Sequence, residues 1–254
     1  MPKIKGCEQS PQAVFLWGVP RSASTAFEKC MSQNTHVEIE HEPFTNDYYF
    51  SKKRRSERYG DNQNLIDYDG NDLIKLKLDI CEKKILFIKE LAFQGLHFIS
   101  DEILASSRHA FIINHPANVI NSLHKLKPNF TEEEFGYIPI KVIFDKVTQE
   151  LNHKPTVINT IRFRQNPSLI VNKFCEEIGI KFDCSMLHWD NGRLREWENY
   201  ESESQSKWHK TLEKSNTIIP WKNIEDNPVF ISKEKEFEFI KAIEIYEALS
   251  LFQF

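Results

Sequence analysis

No two cysteines in this sequence stand at CxxC spacing, and no His/Cys cluster stands at the spacing of a zinc site. The five cysteines (Cys7, Cys30, Cys81, Cys175 and Cys184) are scattered through 254 residues. An odd count, in a chain long enough to bury its own core, argues for free thiols in a reducing compartment. Excess positive charge is missing as well. The formal net charge is −4, which removes the electrostatic reason to expect nucleic acid or an anionic membrane as a partner. No stretch approaches the roughly 18 apolar residues of a membrane span, and the opening MPKIKGCEQSPQ has no apolar h-region. The expectation is a cytoplasmic protein with no signal peptide and no membrane contact. Repeats and low-complexity tracts are absent too, so the reading is a single domain over residues 1–254.

What is present is an alternation of short apolar runs and helical patterns. Ala13–Trp17, Ile85–Lys89 and Ala110–Asn114 are continuous apolar runs, as expected of parallel strands covered on both faces. Thr156–Asn159 is a weaker candidate of the same kind, and Val37–Glu40 is a short, alternating candidate strand. Between them, helical spacing covers Ser24–Met31 and Pro116–Leu126. Thr131–Leu151 opens with a Thr cap and three glutamates, and Asn166-Pro167 starts a helix that Gly179 closes. An amphipathic helix over about residues 232–250 ends the chain. Strands alternating with helices predict an α/β fold with a mostly parallel sheet. The charged stretch Ser51–Asn64 (SKKRRSERYGDNQN) reads either as a solvated surface segment or as a lid carrying positive charge over an anionic ligand.

The junction between the first strand and the first helix, GVPRSAST, is where chemistry is expected. In such folds ligands bind beyond the carboxyl ends of the strands. The amides and positive dipole end of a helix starting at Ser24 would meet an anion there. Ser22, Ser24 and Thr25 add hydroxyls, and Arg21 adds a forked cation. Against Walker A, GxxxxGK[ST], Ala23 stands at the second Gly and Ser24 at the Lys. That argues against an Mg-ATP-binding P-loop kinase. Plain strand–helix connection is the other reading of the turn.

PRSxST after a buried strand resembles the 5′-phosphosulfate loop of sulfotransferases that use 3′-phosphoadenosine 5′-phosphosulfate (PAPS). Four further segments follow in the family's order. HEPFTNDYYF (His41–Phe50) is similar to the HEPF…YYF segment of a bacterial and fungal sulfotransferase-like branch, and FIKELAF (Phe87–Phe93) to its FxKDMA strand. FIINHPANVINSLHKL (Phe111–Leu126) resembles the 3′-phosphate motif FLIRDPxxVxxSLxKL. NPSLIVNKFCEEIGIKFDCSMLHWDNG (Asn166–Gly192) resembles NPxxVLxxLCxxLGIPFDxxMLxW.

The resemblance implies a P-loop-NTPase-like sulfotransferase fold and a reaction that moves a sulfuryl group from PAPS to a hydroxyl or amine of a small molecule, leaving PAP. Sulfuryl transfer asks for in-line positioning, cations or amides on the transferring group, and a base for the acceptor. No metal is required in principle. By this analogy Pro20, Arg21, Ser22, Ala23, Ser24 and Thr25 form the donor loop, with Asn114, Ser122 and Ser215 at the nucleotide. Glu42 is the favoured base, and His41 competes because its ordinary pKa suits neutral pH. Lys89 stabilises the bridging oxygen, or is simply an ion-pair partner of Glu90 or Glu42. One departure stands out: Asn114 occupies the arginine position of the 3′-phosphate motif. Arg108, His115, Lys125 and the Lys52–Arg55 segment are candidate replacements. A noncatalytic nucleotide-binding protein of the same fold is the alternative reading. The acceptor is expected over Phe44–Asn64 and Trp189–Trp208, and the protein to be a monomer or homodimer, in a setting such as natural-product tailoring.

Overall fold

Along β1 (Gln12–Gly18) successive side chains enter two different apolar layers. Ala13, Phe15 and Trp17 join one cluster, and Val14 and Leu16 join the other. That period-two alternation, apolar on both sides, is what a central parallel strand requires. The computed structural model describes residues 12–59, 64–81, 83–193, 195–221, 228 and 232–253. β1 lies at the middle of a five-stranded, all-parallel sheet with β2 (Val37–His41), β3 (Ile85–Leu91), β4 (Arg108–Ile113) and β5 (Thr156–Asn159), in the order β2-β3-β1-β4-β5. Helices cover both faces, as the apolar runs anticipated.

The helices are α1 (Ser24–Ser32), α2 (Thr45–Tyr49), α3 (Gly70–Ile80), α4 (Ala92–Gly95), α5 (Asp101–Ser106) and α6 (Pro116–Leu126), followed by α7 (Glu132–Phe135), α8 (Tyr137–Asp145), α9 (Thr160–Gln165), α10 (Pro167–Ile178), α11 (Ser202–Glu213) and α12 (Lys233–Ser250). The stretch Thr131–Leu151, expected as one helix, is broken. Thr131 and Glu134 make a reciprocal capping box that starts α7. Gly136 then takes φ 88° and ends it. A β-carbon on Gly136 would stand 2.6 Å from Pro20 Cδ, so the break lets the chain pass close under the β1–α1 loop. α8 continues into a π-helical turn, Lys146–Glu150.

Cys30, Cys81, Cys175 and Cys184 are unbridged, and Cys7 lies outside the described residues. Among the described residues no helix is long and apolar enough to cross a membrane. The basic stretch after Ser51 is held by acids: Lys53 by Asp47 and Asp69, Arg54 by Glu57, and Arg58 by Glu134.

Below the sheet, Trp17 Nε1 donates to His109 Nδ1 at 3.1 Å, and His109 Nε2 donates to the Leu104 carbonyl at 2.8 Å. The ring therefore sits as one neutral tautomer. Burial, with the stacked His153, pushes its pKa down from 6.5 to about 4 even though the Leu104 carbonyl acts the other way. A depressed histidine contributes stability that is present above the unfolded pKa and is lost as pH falls toward the folded one. Wild type should thus lose about 3 kcal/mol more than His109→Gln between pH 6.5 and 4. Denaturant titrations of both proteins across that window check this, and parallel pH profiles would refute it.

Candidate functional site

The β1–α1 loop leaves the carboxyl edge of the sheet where β1's two neighbours, β3 and β4, diverge in chain order, the usual position of a ligand crevice. Three carbonyls of this stretch are occupied by side-chain donors. Ser22 Oγ donates to the Val19 carbonyl at 2.7 Å, Asn114 Nδ2 to Arg21 O at 2.9 Å, and Thr160 Oγ1 to Ser22 O at 2.5 Å. Arg21 and Ala23 take φ 61° and 60°, left-handed conformations that cost a residue with a β-carbon on the order of 1 kcal/mol each. Every residue from Pro20 to Ala26 lines a cavity of about 240 Å³, so the N-terminus of α1 opens onto it.

Arg21 crosses this cavity. Its Nε donates to Ser122 Oγ at 2.9 Å and its Nη1 to the Trp208 carbonyl at 3.1 Å. Burial, and then the charge of Arg164, lower its pKa. Ser122 on α6 and the loop arginine, distant in sequence, are thereby brought together.

A second wall carries Lys89 and Glu42. Lys89, the fifth residue of β3, is ion-paired with Glu42 Oε1, and Thr45 Oγ1 donates to Glu42 Oε2 at 3.1 Å. Of the two acids suggested as its partner, Lys89 takes Glu42, while the buried Glu90 carboxyl group, its pKa raised by burial and by Glu42, accepts from the amides of Phe44 and Leu91. Glu42 itself sits at φ 48°, fixed by its amide donating to the Lys89 carbonyl at 2.8 Å. Burial raises the carboxyl's pKa, but the charge of Lys89 in contact with it outweighs that and holds the group ionised, well below the usual carboxylate range.

His41 is turned away from the cavity. Its Nδ1 donates to the buried Glu28 carboxylate at 2.7 Å, and its Nε2 has no hydrogen-bond partner and lies 3.9 Å from Glu42 Oε1. Ser215 also stands off the cavity wall, donating to Leu212 O at 2.8 Å. Asn114 is buried behind the loop. Its amide braces Arg21 O, and its Oδ1 accepts from the His115 amide and from Asn118 Nδ2. Tyr137 Oη ties down the Asn114 carbonyl at 2.5 Å.

None of the suggested replacements for an arginine at 114 lines the cavity. Arg108 donates to Glu177 O, and His115 packs on Tyr246 and caps α6.

Three wall residues had no signal in the sequence, Arg164 on α9, His209 on α11 and Lys127 after α6, while Gln205 on α11 falls within the expected acceptor region Trp189–Trp208. Each falls in an ordinary helical or capping pattern, and only packing brings them to one cavity. His209 Nε2 donates to Gln205 Oε1 at 3.2 Å, and burial followed by the neighbouring His41 pushes its pKa down to about 3. Lys127 is pushed down to about 8 by burial although Glu134, 2.6 Å away, opposes the shift. Tyr49, Tyr59 and Phe93 complete an aromatic end of the cavity beside it.

A family model described as "Sulfotransferase domain" matches residues 12–219. The Branched-chain-amino-acid aminotransferase-like protein 2 of Arabidopsis thaliana is 26% identical over 213 residues, which cover 80% of this chain and 36% of that protein. The chain thus spans about a third of the length of this curated relative. Among solved structures, the sulfotransferase domain of the Synechococcus PCC 7002 olefin synthase superposes with a TM-score of 0.66 at 15% identity, covering 96% of this chain and 97% of that one. The sulfotransferase domain from the curacin biosynthetic pathway gives 0.58 at 14% identity, covering 93% and 98%. These likenesses establish the fold.

The brace at Asn114 is open to test. Asn114→Ala removes a buried donor from Arg21 O and leaves that carbonyl unsatisfied, a loss of about 1–3 kcal/mol. Thermal unfolding should fall by roughly 2–10 °C for a domain of this size. An unchanged melting temperature would show that the loop holds its left-handed residues without Asn114.

Proposed function

This chain belongs to the sulfotransferase domain family, whose model covers residues 12–219, and from that premise we propose that it transfers a sulfuryl group from PAPS to a hydroxyl or amine of a small molecule. One observation carries the reading. The loop at the N-terminus of α1, with Arg21 reaching across it, and the Lys89–Glu42 pair face a single cavity.

The residues divide the work between the two ends of an in-line displacement. Arg21 and the amides of residues 22–25 hold the 5′-phosphosulfate, with Ser122 orienting the Arg21 guanidinium. The acceptor oxygen attacks sulfur as the bond from sulfur to the phosphate oxygen breaks. Lys89 carries the charge that grows on that departing oxygen, and PAP leaves as the product. Glu42, already ionised, takes the acceptor proton. His41 is placed for a supporting part: Glu28 fixes its ring, and its Nε2 faces Glu42 rather than the cavity. The aromatic end formed by Tyr49, Tyr59 and Phe93 suits an acceptor with a flat or apolar body.

Incubation with radiolabelled PAPS and a panel of hydroxyl and amine acceptors tests the reading. Glu42→Gln and Lys89→Met should each lower kcat by about 100-fold or more, with PAP affinity within a few-fold of wild type. PAP should also raise the melting temperature. No shift with either PAP or PAPS would overturn donor binding. A shift without transfer to any acceptor would favour the noncatalytic nucleotide-binding alternative.

A further inference from the structure

Four cationic side chains line the cavity: Arg21, Lys89, Lys127 and Arg164. Two of them are neutralised in place, Lys89 by Glu42 and Lys127 by Glu134. The two guanidiniums are not. Among the described residues neither has a carboxylate within ion-pair distance, and both rest on neutral oxygens. Arg21 uses Ser122 Oγ and Trp208 O. Arg164 Nε donates to Ile219 O at 2.7 Å and Nη2 to Pro220 O at 3.4 Å, with its guanidinium 5.6 Å from the centre of the Trp221 ring. Burial lowers the pKa of both, and Arg164's charge lowers that of Arg21 further.

Two partly desolvated like charges on one wall are unfavourable by themselves and become favourable when an anion lies between them. Ala26, Leu212, Ile218 and Ile219 line the same cavity as the two arginines and give it apolar surface on which a purine ring can lie. Asn114, at the position where the family motif has an arginine, has both polar atoms of its side chain committed to the loop and to α6. It offers a phosphate at most one neutral N–H and no charge.

We propose that Arg164 is the second cation of the donor pocket and binds the 3′-phosphate of PAPS and PAP, in place of the arginine that Asn114 replaces. The inference rests on the PAPS reading above. It assigns a specific duty to a residue that would otherwise serve only to anchor the 218–221 segment.

Calorimetric titration of wild type, Arg164→Met and Arg164→Lys with PAP and with adenosine 5′-monophosphate tests it, because the two ligands differ in the 3′-phosphate alone. Wild type should prefer PAP by about tenfold or more. Arg164→Met should bring that preference to within about threefold while leaving affinity for the monophosphate nearly unchanged. Arg164→Lys, which keeps the charge and loses the fork, should fall between them. A purely structural Arg164 would weaken both nucleotides by the same factor, and that result, or an unchanged preference in Arg164→Met, overturns the inference while leaving the donor reading intact. Equal wild-type affinity for the two nucleotides overturns it as well. Wild type binding neither would defeat the donor reading and this inference with it. Should Arg164→Met fail to fold, Arg164→Lys carries the test: a preference cut threefold or more supports the proposal, and an unchanged one refutes it.

Discussion

The site depends on a loop whose carbonyls are held from behind. Between Val19 and Ala23 the chain adopts two left-handed residues that carry β-carbons, a conformation that does not persist without support. The support comes from the carboxyl ends of the two strands on one side of β1: Asn114 just beyond β4 holds Arg21 O, and Thr160 just beyond β5 holds Ser22 O. Gly136 and Tyr137, at the join between α7 and α8, close the arrangement from below through Pro20 and the Asn114 carbonyl. With its acceptors occupied on that side, the loop leaves donors and positive charge for the cavity. A simple strand–helix connection would need none of these bonds.

That arrangement governs the electrostatics of the cavity. The cavity carboxylates Glu42 and Glu134 each have a cation in contact, and the buried Glu28 is held by His41. Negative charge is thus cancelled locally, and what remains uncancelled is guanidinium. On the proposed reading, the Lys89–Glu42 pair is the part that changes during reaction. Lys89 holds Glu42 ionised at rest, and as charge grows on the departing oxygen the lysine's interaction moves toward it, which raises the proton affinity of Glu42 as the acceptor gives up its proton.

Much of the fold was legible because β1, β3 and β4 contain continuous apolar runs, the shorter β2 alternates and β5 is a brief apolar stretch, and their observed ends differ from the expected ones by only a few residues. The helix expected over Thr131–Leu151 failed on Gly136, whose role under Pro20 is a tertiary contact that periodicity does not register. α3 and α11 were not anticipated. α3 begins at a glycine directly after a polar loop, and α11 sits in a polar, charged stretch. The loop residues and Lys89 could be located because strand ends mark the crevice. Arg164, His209 and Glu28 could not, since on a helix such residues look like any solvated face until packing selects which way they point. Asn114 shows what a position in a motif leaves open. Its position suggested a nucleotide contact, but its short amide matches the distance to Arg21 O and works on the loop itself.

The same exchange has a consequence for how the two ends of the cavity communicate. An arginine at 114 would belong to the rigid end of β4, whereas Arg164 is oriented by the carbonyls of Ile219 and Pro220. That segment follows α11, which also supplies the Trp208 carbonyl to Arg21 and places His209 beside Glu42. Displacing α11 would therefore loosen both guanidiniums and expose the Lys89–Glu42 pair together. On the proposed reading, donor binding between Arg21 and Arg164 relieves two like charges that no carboxylate among the described residues answers, and it does so at residues whose orientation rests on α11 and the segment after it.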